Sequence, residues 1–172
     1  MSRAPSDDLV FDLLVGAVAG AAAVWVMDRV DWFMHDRESP ESRERTWAVR
    51  PEGKDPAHVI ASRVSRAAGG EGVPQGHPAG LGIHYGIGMA PAMAYAATRD
   101  HWPAVAAGGG LAYGLALFVV EDEIVNPLMG TAAPPGRYPW QAHARGLVAH
   151  LVLGAVTEAV VRLAKGPPRR RG

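Results

Sequence analysis

Apolar residues gather in four long stretches separated by polar ones. A helix needs roughly 20 mainly apolar residues to cross the hydrocarbon core of a bilayer. Residues 9–27 reach about that length with Asp12 as the sole charge, residues 79–98 carry no charge, and residues 104–125 stay uncharged as far as Val120. Residues 144–164 form the fourth stretch, where Glu158 and Arg162 interrupt the apolar part that begins at Gly146. The pattern predicts an all-α membrane protein with four transmembrane helices over 9–27, 79–98, 104–125 and 144–164, in one membrane domain covering 1–172. The first stretch does not read as a secretory signal. Asp7 and Asp8 precede it where positive charge belongs, and Asp28-Arg29 follows it where a cleavage site needs small residues.

The polar connection 28–78 contains a helix start of its own. Asp55-Pro56 reads as an N-cap followed by proline at the first helical position. Ile60, Val64 and Ala67-Ala68 then recur at helical spacing, which predicts a short amphipathic helix on the membrane surface or against the bundle. A glycine-rich loop with two prolines follows it. Residues 126–141 hold Pro127, Pro134, Pro135 and Pro139 and form a Pro-rich loop. Gly16 and Gly20, Gly82 and Gly86, and Gly110 and Gly114 are each four apart, a spacing that lets membrane helices approach closely.

An internal similarity organises the four stretches. HPAGLGIHYGIG (77–88) and HARGLVAHLVLG (143–154) share H-x2-G-L-x2-H-x3-G. A weaker match aligns 24–28 with 117–121, each an apolar run closing on a carboxylate, Asp28 and Glu121. The reading is two repeated hairpins related by a pseudo-twofold axis along the membrane normal.

Composition narrows the chemistry. Lys+Arg and Asp+Glu both total 17, so no bulk charge argues for nucleic acid. The chain has no cysteine, which excludes disulfides and thiolate metal sites. No P-loop, dinucleotide fingerprint, nucleophile elbow or zinc-binding H-E-x-x-H is present, so no enzyme is indicated. The topology places the ionisable residues instead. Stretches one and three end, and two and four begin, on one side of the membrane. Asp28, His84, Glu121 and His150 then supply one polar residue per helix, with Asp31, His35 and His143 beside them. Glu121 and Glu123 point about 200° apart on an α-helix, so one of them faces the axis, and the repeat selects Glu121. Glycines four residues before and after His84 and His150 notch both helices at the ring. Ionisable groups inside a membrane pair, bind something or face water.

Three readings follow for the cluster. Two carboxylates and two imidazoles suit a divalent metal, or protons. His84 and His150 could ligate a haem from opposite helices. Alternatively the pairs are structural hydrogen bonds. On the opposite side, Asp12, Glu158 and Arg162 read as a structural trio. Arg162, Lys165 and Arg169 to Arg171 crowd the C-terminal side, which puts both termini in the cytoplasm. The expected partners are the lipid bilayer and a second copy or a larger membrane complex, in which the chain would be an accessory subunit.

RTWAVRPEGKDPAH (45–58) and HYGIGMAP (84–91) resemble the YagU-like family of bacterial inner-membrane proteins. The resemblance implies a small multi-pass protein of that membrane, with no established biochemical activity and an association with acid tolerance. It supplies no catalytic residues.

Overall fold

The structure is a computed structural model and describes residues 5–168. The expected Arg169–Arg171 tail lies outside the described residues. Six helices and no strand occur among the described residues. They are α1 (Pro5–His35), α2 (Pro40–Val49), α3 (Pro56–Ala67), α4 (Pro78–Thr98), α5 (Leu111–Leu117) and α6 (Trp140–Lys165). The backbone of α5 continues as a π-helix over Phe118–Val125 and closes with one α-turn at Asn126–Leu128.

Helix α1 outruns its apolar stretch. Asp28, Asp31 and His35 continue it because each finds a polar partner on a facing helix. Helix α3 starts where the sequence places it. Asp55 accepts the His58 amide at 2.9 Å and Pro56 takes the first position, where its missing N–H costs nothing. Helix α2 was not anticipated. Ser39 caps it and Pro40 opens it, but no apolar stripe marks it.

The main helices run up and down. Helix α1 packs against both α4 and α6, and α5 packs on α6. Lys165 at the end of α6 meets Asp12 at the start of α1, and Arg145 near the start of α6 meets Asp31 near the end of α1, so these two are antiparallel. Helix α3 lies on α4, burying Ala57, His58, Val59, Ala61 and Ser62. Arg63 of α3 also donates to the carbonyls of Met129 and Gly130, both at 2.7 Å, which ties the connection to the far end of the π-helical stretch.

Glycines set the distances. A Cβ on Gly16 or Gly20 would overlap the backbone of α4 at Ala92–Met93 or Met89. A Cβ on Gly114 would overlap the His150 carbonyl, and one on Gly154 would overlap Gly110 O. Gly88 takes the Val24 side chain, and Gly80 takes the ring of His58. Gly82 and Gly86 meet nothing and belong to no close contact.

Two of the helices, α1 and α6, are long and apolar enough to cross a membrane, against the four stretches expected from the sequence. The apolar character of α4 is diluted by His84, Tyr85, Pro91 and Tyr95. The third stretch does not start at residue 104. Pro103–Ala106 is a 3₁₀ turn, and Gly108, Gly109 and Gly110 all take positive φ, so α-helix begins only at Leu111. Burial is low along both long helices, 28% of the apolar window in α1 and 39% in α6. Leu9, Val10, Leu14 and Val18 of α1 and Leu163 of α6 are more than half exposed. Trp32 and Trp140 stand exposed at one end of the bundle, and Trp102 at the other.

Candidate functional site

Four elements converge at the end of the bundle that carries the connection. Helix α1 brings Asp28, Asp31 and His35, α4 brings His84, the π-helical stretch brings Glu121 and Asp122, and α6 brings Arg145 and His150. All line one cavity of about 330 Å³. The connection closes its outer side with Trp47, Arg50, Asp55 and His58. The four residues singled out from the sequence, Asp28, His84, Glu121 and His150, therefore share one space.

Their pairing departs from the repeat. His84 Nε2 donates to Asp28 Oδ1 at 2.8 Å. His150 Nδ1 donates to the Gly146 carbonyl at 2.9 Å, and its nearest carboxylate is Asp122 at 3.6 Å, not Glu121. The Glu121 carboxylate lines the cavity and makes no hydrogen bond among the described residues, although the charges of His150 and Asp122 act on it. The reason lies in the backbone. The wider π turn rotates successive residues less than an α turn does. Glu121, Asp122 and Glu123 all reach polar surroundings, and the two-way choice made for an α-helix does not apply. The repeat also fails at its first histidine. His77 is an exposed cap whose Nδ1 accepts the Ala79 amide, whereas His143 Nδ1 donates to Glu123 at 2.6 Å and its Nε2 to the Pro135 carbonyl at 3.0 Å.

The secondary candidates divide. Asp31 and His35 line the main cavity, both held by Arg145, whose Nε donates to Asp31 at 2.9 Å and whose Nη1 donates to His35 Nδ1 at 3.1 Å and to Glu38. His143 lies instead in a neighbouring cavity of about 150 Å³ with Glu123. Arg145 is 5% exposed and organises this end of the bundle, yet the sequence reading passed over it. Its signal was an arginine one residue before an apolar run, opposite two carboxylates. Among the described residues, no three His, Asp or Glu side chains group closely enough to hold a metal ion. For haem ligation, His84 would have to leave Asp28.

The connection holds its wall by a second histidine pair. His58 is 2% exposed. Its Nδ1–H donates to both Asp55 oxygens at 2.9 Å, and its Nε2 accepts the Gly76 amide at 2.9 Å. Burial pushes the Asp55 carboxyl up, but hydrogen bonds from Gln75 and His58 outweigh it and the net shift is down. Nearby, Glu52 accepts from Arg66 and Lys54, and its carboxyl falls from 4.5 to about 2.

The opposite end carries a separate cluster. Arg99 is fully buried and its Nη1 reaches Glu158 at 2.8 and 2.6 Å. Tyr95 donates to the same carboxylate at 2.6 Å. Arg162 comes only within 3.9 Å of Glu158, and Asp12 pairs with Lys165 at 2.7 Å. The expected trio of Asp12, Glu158 and Arg162 is thus split. Arg99 takes Glu158 because it stands just past the end of α4, opposite that carboxylate.

A family model described as Protein of unknown function (DUF1440) matches residues 74–159, half of the chain. The match takes in His84, Glu121, Asp122, Arg145, His150 and Glu158 and leaves α1, α2 and α3 outside. No curated protein and no solved structure matches the chain.

Proposed function

The chain belongs to the DUF1440 family, and from that premise we propose that it is a bilayer-embedded helical bundle whose His/carboxylate cavity takes up and releases protons. The carrying observation is the unpaired Glu121 carboxylate beside His150 in the cavity that also holds the Asp28–His84 pair. A proton needs one acceptor, whereas a divalent ion needs several ligands at once. The pairs here stand apart, which favours protons over metal.

In this reading α1 and α6 cross the bilayer, and α4 with the continuous helix 111–128 completes a four-helix bundle inside it. The exposed apolar faces and the tryptophans at both ends support that placement. The YagU-like resemblance supports the bacterial inner membrane and a part in acid tolerance, and Arg162 with Lys165 supports cytoplasmic termini. A structural or accessory role is the second reading, favoured by the buried Arg145 network and the glycine contacts.

Nitrogen NMR of labelled histidines in nanodiscs separates the two. Proton uptake predicts that Asp28→Asn moves the titration of His84 and that Glu121→Gln moves that of His150. If neither histidine titrates between pH 4 and pH 9, the roughly accessible range for imidazole, the structural reading replaces this one.

A further inference from the structure

Seven Asp, Glu and Arg side chains line the main cavity. Five of them meet a partner. Asp28 accepts from His84, Asp31 from Arg145 and Asp55 from His58, while Asp122 lies 3.6 Å from His150. The two left over are Glu121 and Arg50, which are opposite in sign. Neither side chain makes a hydrogen bond or an ion pair among the described residues. The charges that act on Glu121 are those of His150 and Asp122, and Arg50 is not one of them. Glu121 and Arg50 are therefore separate points on the cavity wall, not the halves of a loose ion pair.

Arg50 caps the end of α2, is half-buried, and lines both the main cavity and the smaller one beside it. Its guanidinium lies over the Trp47 ring, 4.1 Å from the centroid. Stacking fixes the plane of the fork and leaves its in-plane N–H groups without an acceptor. Such a fork fits the two oxygens of a carboxylate or a phosphate. A charge drawn out of water without a partner is costly. Glutamine at either position would line the wall without that cost.

Five carboxylates and two guanidiniums face the cavity. A simple anion is repelled there, and a simple cation leaves Arg50 unmatched. A molecule with one charge of each sign answers both leftover groups and brings no net charge into the site. Met27, Leu81 and Ile87 add apolar wall for a short carbon chain joining the two charges. At about 330 Å³ the cavity stands at the small end of ligand sites.

We propose that the cavity binds a small zwitterion, with its ammonium on the Glu121 carboxylate and its carboxylate or phosphate on the Arg50 guanidinium. The proposal rests on the cavity as the site named above and adds a ligand to its protons. The same chemistry is offered by a soluble amino compound and by an ethanolamine headgroup reached from the bilayer.

Calorimetric titration of the full chain in a non-ionic detergent tests it. The zwitterion is glycerophosphoethanolamine, and its two halves are ethanolamine and dimethyl phosphate. The zwitterion binds about tenfold or more tightly than either half. Arg50→Gln removes that advantage and leaves ethanolamine binding unchanged. Glu121→Gln removes it and leaves dimethyl phosphate binding unchanged. Arg50→Lys, which keeps the charge, retains part of it. All three melt near the parent temperature, because neither side chain holds a partner in the fold. Phosphatidylethanolamine added to the micelles separates the sources: it blocks the titration if the occupant is a headgroup and leaves it unchanged if the occupant is soluble. Halves that bind as tightly as the whole overturn the proposal, as do variants that bind like the parent or the absence of saturable heat. If the His150 titration still responds to Glu121→Gln in that case, the proton reading survives and the ligand alone fails.

Discussion

Gly154 and Gly82 look alike in the sequence and differ completely in surroundings. A Cβ at Gly154 would overlap the Gly110 carbonyl and the Gly114 backbone, atoms that cannot swing aside. Gly154→Ala should therefore force α5 away from α6 and cost about 1–3 kcal/mol. Gly82 has nothing within 4 Å of a Cβ, and alanine is the better helix former by up to about 1 kcal/mol. Gly82→Ala should leave stability unchanged or raise it. Melting in detergent compares the two, and equal losses would show that α5 and α6 are not held by this contact. Single residues were the least legible part of the site. The shared cavity of Asp28, His84, Glu121 and His150 followed from topology, because Asp28 and Glu121 sit late and His84 and His150 early in antiparallel helices, at one end of the bundle. Arg145 and Arg99 did not follow, and neither did Asp122 as the carboxylate nearest His150. Two of them stand at the margins of apolar runs, where a charge reads as an ordinary flank, and their partners lie on other helices.

At the scale of elements, a helix start was legible where a cap and a proline coincide, at Asp55-Pro56. The π-helical stretch was not, since an i→i+5 turn leaves no mark in the spacing of apolar residues. The false start at residue 104 has a local cause. Gly110 takes φ +95° and would clash with Gly154 if it carried a side chain, so the chain turns there before it can be helical. The connection has its own electrostatics. Glu52 is held at about 2, below its ordinary 4.5, first by Arg66 and then by Lys54, and Asp55 is also shifted down. Depressed carboxyls stabilise the folded segment fully above their unfolded values. The contribution falls as pH drops below about 4.5 and is gone below about 2. Glu52 is partly exposed, so the effect is local. Hydrogen exchange over residues 51–76, corrected for intrinsic rate, should rise through that window before α1 or α6 opens. Glu52→Gln should flatten the response, and an identical pH profile in that variant would rule Glu52 out.

For the whole molecule, charged groups gather at the two ends and the middle is largely apolar. Arg145, Asp31 and Glu38 close one end, and Arg99, Glu158, Lys165 and Asp12 close the other. Asp12 and Asp28 bound a charge-free run on α1 about 24 Å long at 1.5 Å per residue. Helix α4, with 21 residues, spans about 31 Å. Trp32 and Trp140 at one end and Trp102 at the other add amphipathic rings, which rest at the level of lipid headgroups. Together these act as a ruler. In the proposed bilayer placement, the bundle has a preferred hydrocarbon thickness near that of an ordinary bilayer, about 30 Å, and a thicker or thinner one would have to deform or tilt it at a fraction of a kcal/mol per ångström. In nanodiscs of graded acyl-chain length, thermal stability should pass through a maximum and fall on both sides. A molecule so matched would partition by membrane thickness alone, without any targeting sequence or receptor.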